Sequence, residues 1–205
     1  GDLVSSYTAL AEKMGSFASQ YMRFSPSFLK LKYRGTLAKQ NVALLRLCFL
    51  KGFLSQHHEA VSFVNAEQIA QRDGLRIEEE KDHHFSDYEN ALKCTLSKHE
   101  EEFTIGGVVF SGPHPRLTLI NGFLLEMAPT GTILIIKNND RPGIIGAIGT
   151  CLGKHKVNID QFNLGRDQKG GEAMALLRVD EDIEKGVIRE LENLPNINFV
   201  CKIKL

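Results

Sequence analysis

The sequence predicts an α+β protein in two parts: a mixed first part of helices and strands, and a compact second part ordered βαββαβ. Three observations carry this. The apolar run Thr132-Ile-Leu-Ile-Ile-Lys137, bounded by Gly131 and Asn138-Asn139, has the composition of a fully buried strand. Directly after it, Ile144, Ile145, Ile148, Cys151 and Leu152 recur at the three- and four-residue spacing of an amphipathic helix. Before residue 131, a run of helical periodicity is followed by several short strand-like runs separated by charged or glycine-containing segments.

In chain order, residues 3–22 place Leu3, Tyr7, Leu10, Ala11, Met14, Phe17, Ala18 and Tyr21 on one helical face, and Ser25-Pro-Ser27 breaks that pattern. Residues 28–37 alternate with period two and predict a strand. Residues 41–55 are apolar nearly all round, which predicts a core helix. A short helix at 65–72 has Asn65 as its N-cap and Gly74 just past its end. Strand-like runs at 76–81, 91–97 and 103–110 are joined by Asp82-His-His84, Lys98-His-Glu-Glu101 and Gly106-Gly107, and fit hairpins of an antiparallel sheet. Gly112-Pro-His-Pro115 predicts a tight loop, and Asn121-Gly122 between two apolar runs predicts a two-residue hairpin turn.

Ala128-Pro-Thr-Gly131 is a plausible joint between domains, giving parts at 28–130 and 131–205 after an opening helical segment at 1–27. Beyond it come a strand at 132–137, a helix at 143–154, a strand at 157–164, a turn at 167–171, a strand at 173–179, a helix at 182–194 and a final strand from 197. Such an order folds as four antiparallel strands with both helices on one face. A unit of this size buries little core by itself, so association that extends the sheet edge is expected.

Composition excludes several classes. The 205 residues hold 25 Lys plus Arg against 25 Asp plus Glu, a net charge of zero, so there is no electrostatic footprint for nucleic acid or an anionic membrane. No apolar run approaches the ~20 residues of a membrane span. Gly1-Asp-Leu-Val-Ser-Ser6 carries no signal-peptide pattern and reads as a cut into a longer chain. Cys48, Cys94, Cys151 and Cys201 are expected as reduced, buried thiols of a cytoplasmic protein.

Chemistry concentrates in the loop between the first strand and helix of the second part. Asp140 can cap the helix start, and Pro142 sits where a missing N–H costs nothing. Gly143 and Gly146 remove side chains where a ligand might approach, whereas Gly149 is expected to permit close helix–sheet packing. Helix N–H groups beside a carboxylate suit a small zwitterion. Asp140 and Asn158 flank the same helix from opposite ends of the strand–helix–strand unit, and that convergence favours a site over a bare cap and a turn residue.

Elsewhere the signals are weak. Gly143-Ile-Ile-Gly-Ala-Ile-Gly149 has the spacing G-x-x-G-x-x-G and is not a dinucleotide fingerprint. His57-His58 and His83-His84 have no Cys or carboxylate at ligand spacing, so no metal is expected. Arg34 and Arg116 are candidates for an anion pocket. Ser111 with His114 is too weak a pair to suggest catalysis.

Asn139-Asp-Arg-Pro-Gly143 followed by Val157-Asn-Ile159 resembles an ACT domain, a small regulatory module of ferredoxin-like fold that binds amino acids. Ala9-Leu-Ala-Glu-Lys-Met-Gly-Ser16, Tyr33-Arg-Gly35, Phe63-Val-Asn-Ala66 and Leu119-Ile-Asn-Gly122 resemble long-form D-3-phosphoglycerate dehydrogenases, in the end of the catalytic half and the intervening domain. The resemblance covers essentially the whole chain. It implies a regulatory piece without catalytic residues, a catalytic half elsewhere that binds NAD, and feedback inhibition by L-serine at an ACT interface of a homodimer or homotetramer. It further places the effector at Asn138, Asp140 and the backbone of Arg141, Pro142, Gly143, Ile144 and Ile145 of one subunit, with Asn158 and Ile159 from its neighbour. Asn138 stands where that family often has His or Tyr, and of two basic positions in its intervening domain Arg116 fills the first while Ala128 occupies the second. The β-subunit of an iron–sulfur L-serine dehydratase carries the same two modules, but its segment ending in Ser-His-Thr is absent here. A free-standing amino-acid-binding module is a third reading.

Overall fold

Helix α1 (Leu3–Tyr21) buries Tyr7, Leu10, Met14, Phe17 and Tyr21, the face that its periodicity marks. It opens a computed structural model that describes residues 3–84, 87–111 and 113–205. The chain divides into two units, Gly1–Asn121 and Gly122–Leu205.

In the first unit, β1 (Phe28–Gly35) turns Leu29, Leu31 and Tyr33 inward and Lys30, Lys32 and Arg34 outward. A 3-10 turn (Thr36–Lys39) leads into α2 (Ala43–Leu54). The two long helices meet backbone to backbone: a Cβ on Gly15 would lie 2.1 Å from the Phe49 carbonyl, and one on Gly52 would lie 1.9 Å from that of Glu12. Only glycine permits that approach. Helix α3 (Ala66–Arg72) ends where Gly74 and Leu75 donate back to the Gln71 and Ala70 carbonyls, a glycine-terminated helix stop. At its start Asn65 occupies the cap position without capping. The Asn65 Oδ1 accepts from the Ser62 N–H at 2.7 Å and its Nδ2 donates to the Ala60 carbonyl, so the amide is spent on the preceding turn.

Strands β2 (Arg76–Asp82), β3 (Asn90–Lys98), β4 (Glu101–Phe110) and β5 (His114–Ile120) complete a sheet ordered β2-β1-β3-β4-β5. The expected hairpin between residues 76–81 and 91–97 does not form. Instead β2 runs parallel to β1, and β1 lies between β2 and β3. The reason is charge: β2 sets Glu80 against Lys30 (2.5 Å) and Lys32 (2.7 Å), with Asp82 near Arg34. An acidic strand suits the edge beside a basic one, and the α2–α3 segment supplies the long crossover that a parallel pair needs. Gly106-Gly107 is no linker either; it lies inside β4 at a bulge against β5. Of the Gly112-Pro-His-Pro115 loop, Gly112 lies outside the described residues. Asn121 and Gly122 have φ of 48° and 85°, the left-handed pair that a two-residue hairpin turn demands.

The second unit begins with β6 (Phe123–Met127) and continues as β7 (Thr132–Asn139), α4 (Ile144–Lys154), β8 (Ile159–Arg166), β9 (Glu172–Val179), α5 (Lys185–Glu192) and β10 (Ile197–Lys204). Its sheet is ordered β10-β7-β9-β8 with every pair antiparallel, so the βαββαβ reading holds. Leu134 and Ile136 from β7, Ile148 and Leu152 from α4, Leu177 from β9 and Leu191 from α5 form the core. Strand β6 follows β8 through side chains: the Glu126 N–H donates to Asn163 Oδ1 and Gln161 Nε2 donates to the Glu126 carbonyl, each at 3.2 Å. No helix among the described residues is long and apolar enough to cross a membrane.

Candidate functional site

The loop after β7 is built by three local choices. Asn138 shares the helix-facing side of β7 with Leu134 and Ile136 and is 3 % exposed. Its Nδ2 donates to the Asn139 carbonyl at 2.9 Å, and its Oδ1 is buried without a hydrogen-bond partner. Buried acceptors are normally satisfied, so this orphan near the C-terminal end of β7 stands out.

Gly143 is the N-cap of α4 with φ of 92°, a left-handed turn natural to glycine. The first bond of the helix runs from the Ala147 N–H to the Gly143 carbonyl at 2.9 Å, so the amides of Ile144, Ile145 and Gly146 precede the ladder. A Cβ placed on Gly143 or Gly146 would meet nothing within 4 Å, and Ile145 is 53 % exposed. The helix start is open. Gly149 also faces open space, so it does not serve close packing as expected.

Asp140 does not cap α4. A capping carboxylate sits at the residue that Gly143 occupies, three positions further on. Instead the Asp140 Oδ2 accepts from the Gly170 N–H at 3.0 Å and from Arg166 at 3.2 Å, tying the loop to the β8–β9 turn. The Gly170 N–H and then Arg166 hold its carboxyl below the usual aspartate value, so it is ionised, and Oδ1 keeps acceptor capacity. Pro142 precedes the cap and is not the first helical residue. Arg141 and Pro142 are exposed, Ile144 is buried, and Ile159 packs at the margin of the core.

Asn158 stands apart. Its N–H donates to Glu181 at 2.8 Å and its Nδ2 to Asp180 at 2.6 Å, which fixes the start of β8 against the turn after β9. Strand register puts Asn139 opposite Glu172, and both Thr132 and Ile159 opposite Val179. Asn158 and Asp140 therefore lie at opposite ends of the sheet, roughly 23 Å apart along the strands. Within one chain they do not converge.

Arg34 and Arg116 lie in one row of the first sheet with two strands between them, roughly 14 Å across. The Arg34 Nε faces Asp82 at 3.4 Å, and Arg116 donates to the Pro115 carbonyl at 2.9 Å. A cavity of about 790 Å³ in the first unit is lined by Arg23, His57, His58 and Asp73 among others, and by none of the effector or anion-pocket candidates. His58 is held by Asp73 at 2.6 Å.

One constellation escaped the sequence reading. Cys151 of α4 and His155, the C-cap of that helix, meet Glu190 of α5, with one ligating atom of each within 4.8 Å of the others. The signal was present: Cys and His four residues apart share one helical face. Its third member is brought in only by the packing of two helices distant in sequence.

Comparison with known proteins identifies the family. The family described as D-3-phosphoglycerate dehydrogenase intervening domain matches residues 3–121, and the ACT domain family matches residues 132–196. A D-3-phosphoglycerate dehydrogenase of Bacillus subtilis is 32 % identical over 200 residues, covering 97 % of this chain and 38 % of that protein. One from Methanocaldococcus jannaschii is 34 % identical over 200 residues with the same coverage. One from Mycobacterium tuberculosis is 34 % identical over 188 residues, covering 90 % of this chain and 35 % of the relative. The chain thus spans little more than a third of the length of these relatives. It belongs to the D-3-phosphoglycerate dehydrogenase intervening-domain family, and it matches the C-terminal, regulatory part of such proteins with an ACT domain behind the intervening domain.

Proposed function

We propose that this chain is the regulatory part of a cytoplasmic, NAD-dependent D-3-phosphoglycerate dehydrogenase, and that its ACT domain binds L-serine to inhibit the enzyme. The observation that carries the reading is the orphan Oδ1 of Asn138 beside an open helix start. The serine carboxylate takes the amides of Ile144–Gly146, where the helix dipole contributes up to ~1–2 kcal/mol. Its ammonium is shared between Asp140 Oδ1 and Asn138 Oδ1, which gives the buried acceptor its donor. The catalytic half, with NAD, belongs to chain that the relatives possess beyond the matched third.

Strand register supports a site completed by a second copy. Strand β8 ends the sheet, and Leu164 on it is 39 % exposed. If two β8 edges pair antiparallel about a two-fold axis, the Asn158 end of each lies at the level of Asp140 in the other. Asn158 then reaches the serine hydroxyl from the neighbouring subunit, which a single chain does not permit.

Calorimetric titration of the 205-residue chain with L-serine tests the assignment. Losing a charged hydrogen-bond partner costs roughly 1.5–3 kcal/mol, so Asp140→Ala should weaken binding about ten- to a hundredfold. Asn138→Ala should also weaken binding; it removes the unpaired acceptor together with the Nδ2 bond to the Asn139 carbonyl, so its urea midpoint is measured beside its affinity. Asn158→Ala should weaken serine more than L-alanine, which lacks the hydroxyl. Silence with serine, or three variants that bind like the parent, overturns the assignment.

A further inference from the structure

On the opposite end of α4 from the effector loop, three side chains of different chemistry come together with no part in the function proposed above. Cys151 is buried at the α4–α5 contact, His155 lies one turn further on the same face, and Glu190 reaches them from α5. The His155 Nε2 already meets Glu190 Oε2 at 2.6 Å, and Lys154 holds the other carboxylate oxygen at 2.9 Å. We propose that Cys151, His155 and Glu190 form a site for a divalent metal ion of the zinc class, bridging α4 to α5.

The donor set selects the ion. One thiolate, one imidazole and one carboxylate suit zinc or cobalt, whereas magnesium and calcium require oxygen ligands throughout. Ligand bonds of about 2.0–2.3 Å in tetrahedral geometry set ligand atoms roughly 3.5 Å apart. The three atoms lie within 4.8 Å of one another, so the ion needs side-chain rotation alone. His155 and Glu190 separate by about an ångström to admit it, and both side chains are partly exposed, which leaves them room to turn. Lys154 has a side chain 67 % exposed and can keep its bond to Oε1 while Oε2 turns to the metal. A water fills the fourth position, as in zinc sites with three protein ligands. With the metal bound, the last turn of α4 is fixed to α5, while the first turn remains free to meet an effector.

The test uses the whole chain and cobalt as the optical probe. One equivalent of Co²⁺ should produce a near-ultraviolet thiolate-to-cobalt absorption that Zn²⁺ then displaces. Cys151→Ser should abolish this absorption, and Cys201→Ser should leave it. His155→Ala and Glu190→Gln, both at surface positions and expected to fold, should each weaken zinc binding at least tenfold in competition with a chromophoric chelator. Zinc should raise the unfolding temperature of the parent and not that of His155→Ala. The proposal is overturned if no such absorption develops, if it survives Cys151→Ser, or if the His155 and Glu190 variants bind zinc like the parent; the cluster is then an inter-helix ion pair beside a buried thiol.

Discussion

The two units solve the same problem, packing two helices on a sheet, in opposite ways. In the first unit α1 and α2 touch through their backbones, because Gly15 and Gly52 each give up a side chain to the partner's carbonyl. In the second unit α4 and α5 pack through side chains, with Ile148, Leu152 and Leu191 in one core and Lys154, His155 and Glu190 at its rim, while the glycines of α4 face open space. Backbone contact has one geometry and no slack. A contact made by side chains can shift by a change of rotamer, so the α4–α5 packing has more latitude than the α1–α2 crossing.

That contrast breaks most sharply on glycine. Gly15→Ala and Gly52→Ala drive a methyl into a fixed carbonyl, and each should cost roughly 2–3 kcal/mol or more, read as a lower urea midpoint. A variant as stable as the parent would show that the α1–α2 crossing can shift, and the contrast would fail.

The exposed edge comes next. Leu164→Glu on β8 should weaken dimerisation about a hundredfold in sedimentation equilibrium, since two copies of a buried leucine are lost, roughly 3 kcal/mol or more. Unchanged association would move the interface elsewhere. In the opposite direction, Gly149→Ala should stabilise the chain by about 0.5–1 kcal/mol, because the methyl enters open space and the helix gains propensity. The same substitution thus changes sign between the units.

The smallest effect concerns pH. His155 and then Lys154 hold the Glu190 carboxyl below its ordinary value of 4.5. A lowered carboxyl value means that its stabilisation is present above 4.5 and fades as pH falls through the lowered value. Glu190→Gln should flatten that part of the stability profile, measured as the urea midpoint from neutral pH down past the ordinary glutamate value. Parallel profiles would mean that the inter-helix ion pairs contribute nothing.

Much of this was legible in the residues. Period-two alternation gave β1 and β10, apolar spacing gave α1 and α4, and Asn121-Gly122 announced its own turn, because each of these signals is local. The paired order of the second unit followed from βαββαβ alone. What the linear pattern could not decide was partnership. Strand β2 was expected beside β3, yet its acidic residues match the basic face of β1, and complementarity of charge is invisible until two strands are aligned. Asp140 had the right chemistry for a cap at the wrong distance, and the chain used it to hold the β8–β9 turn.

The sequence by itself determined the elements, the loop with its glycine and aspartate, and the absence of a charge footprint for nucleic acid. Only the tertiary structure decided which groups share a space. It separated Asp140 from Asn158 to opposite ends of one sheet, left the Asn138 oxygen without a donor, and brought Glu190 to Cys151 and His155 from a helix distant along the chain. The reason is physical: secondary structure is fixed by neighbours a few residues away, whereas a site is fixed by strand register and helix packing, which join residues that the chain keeps far apart.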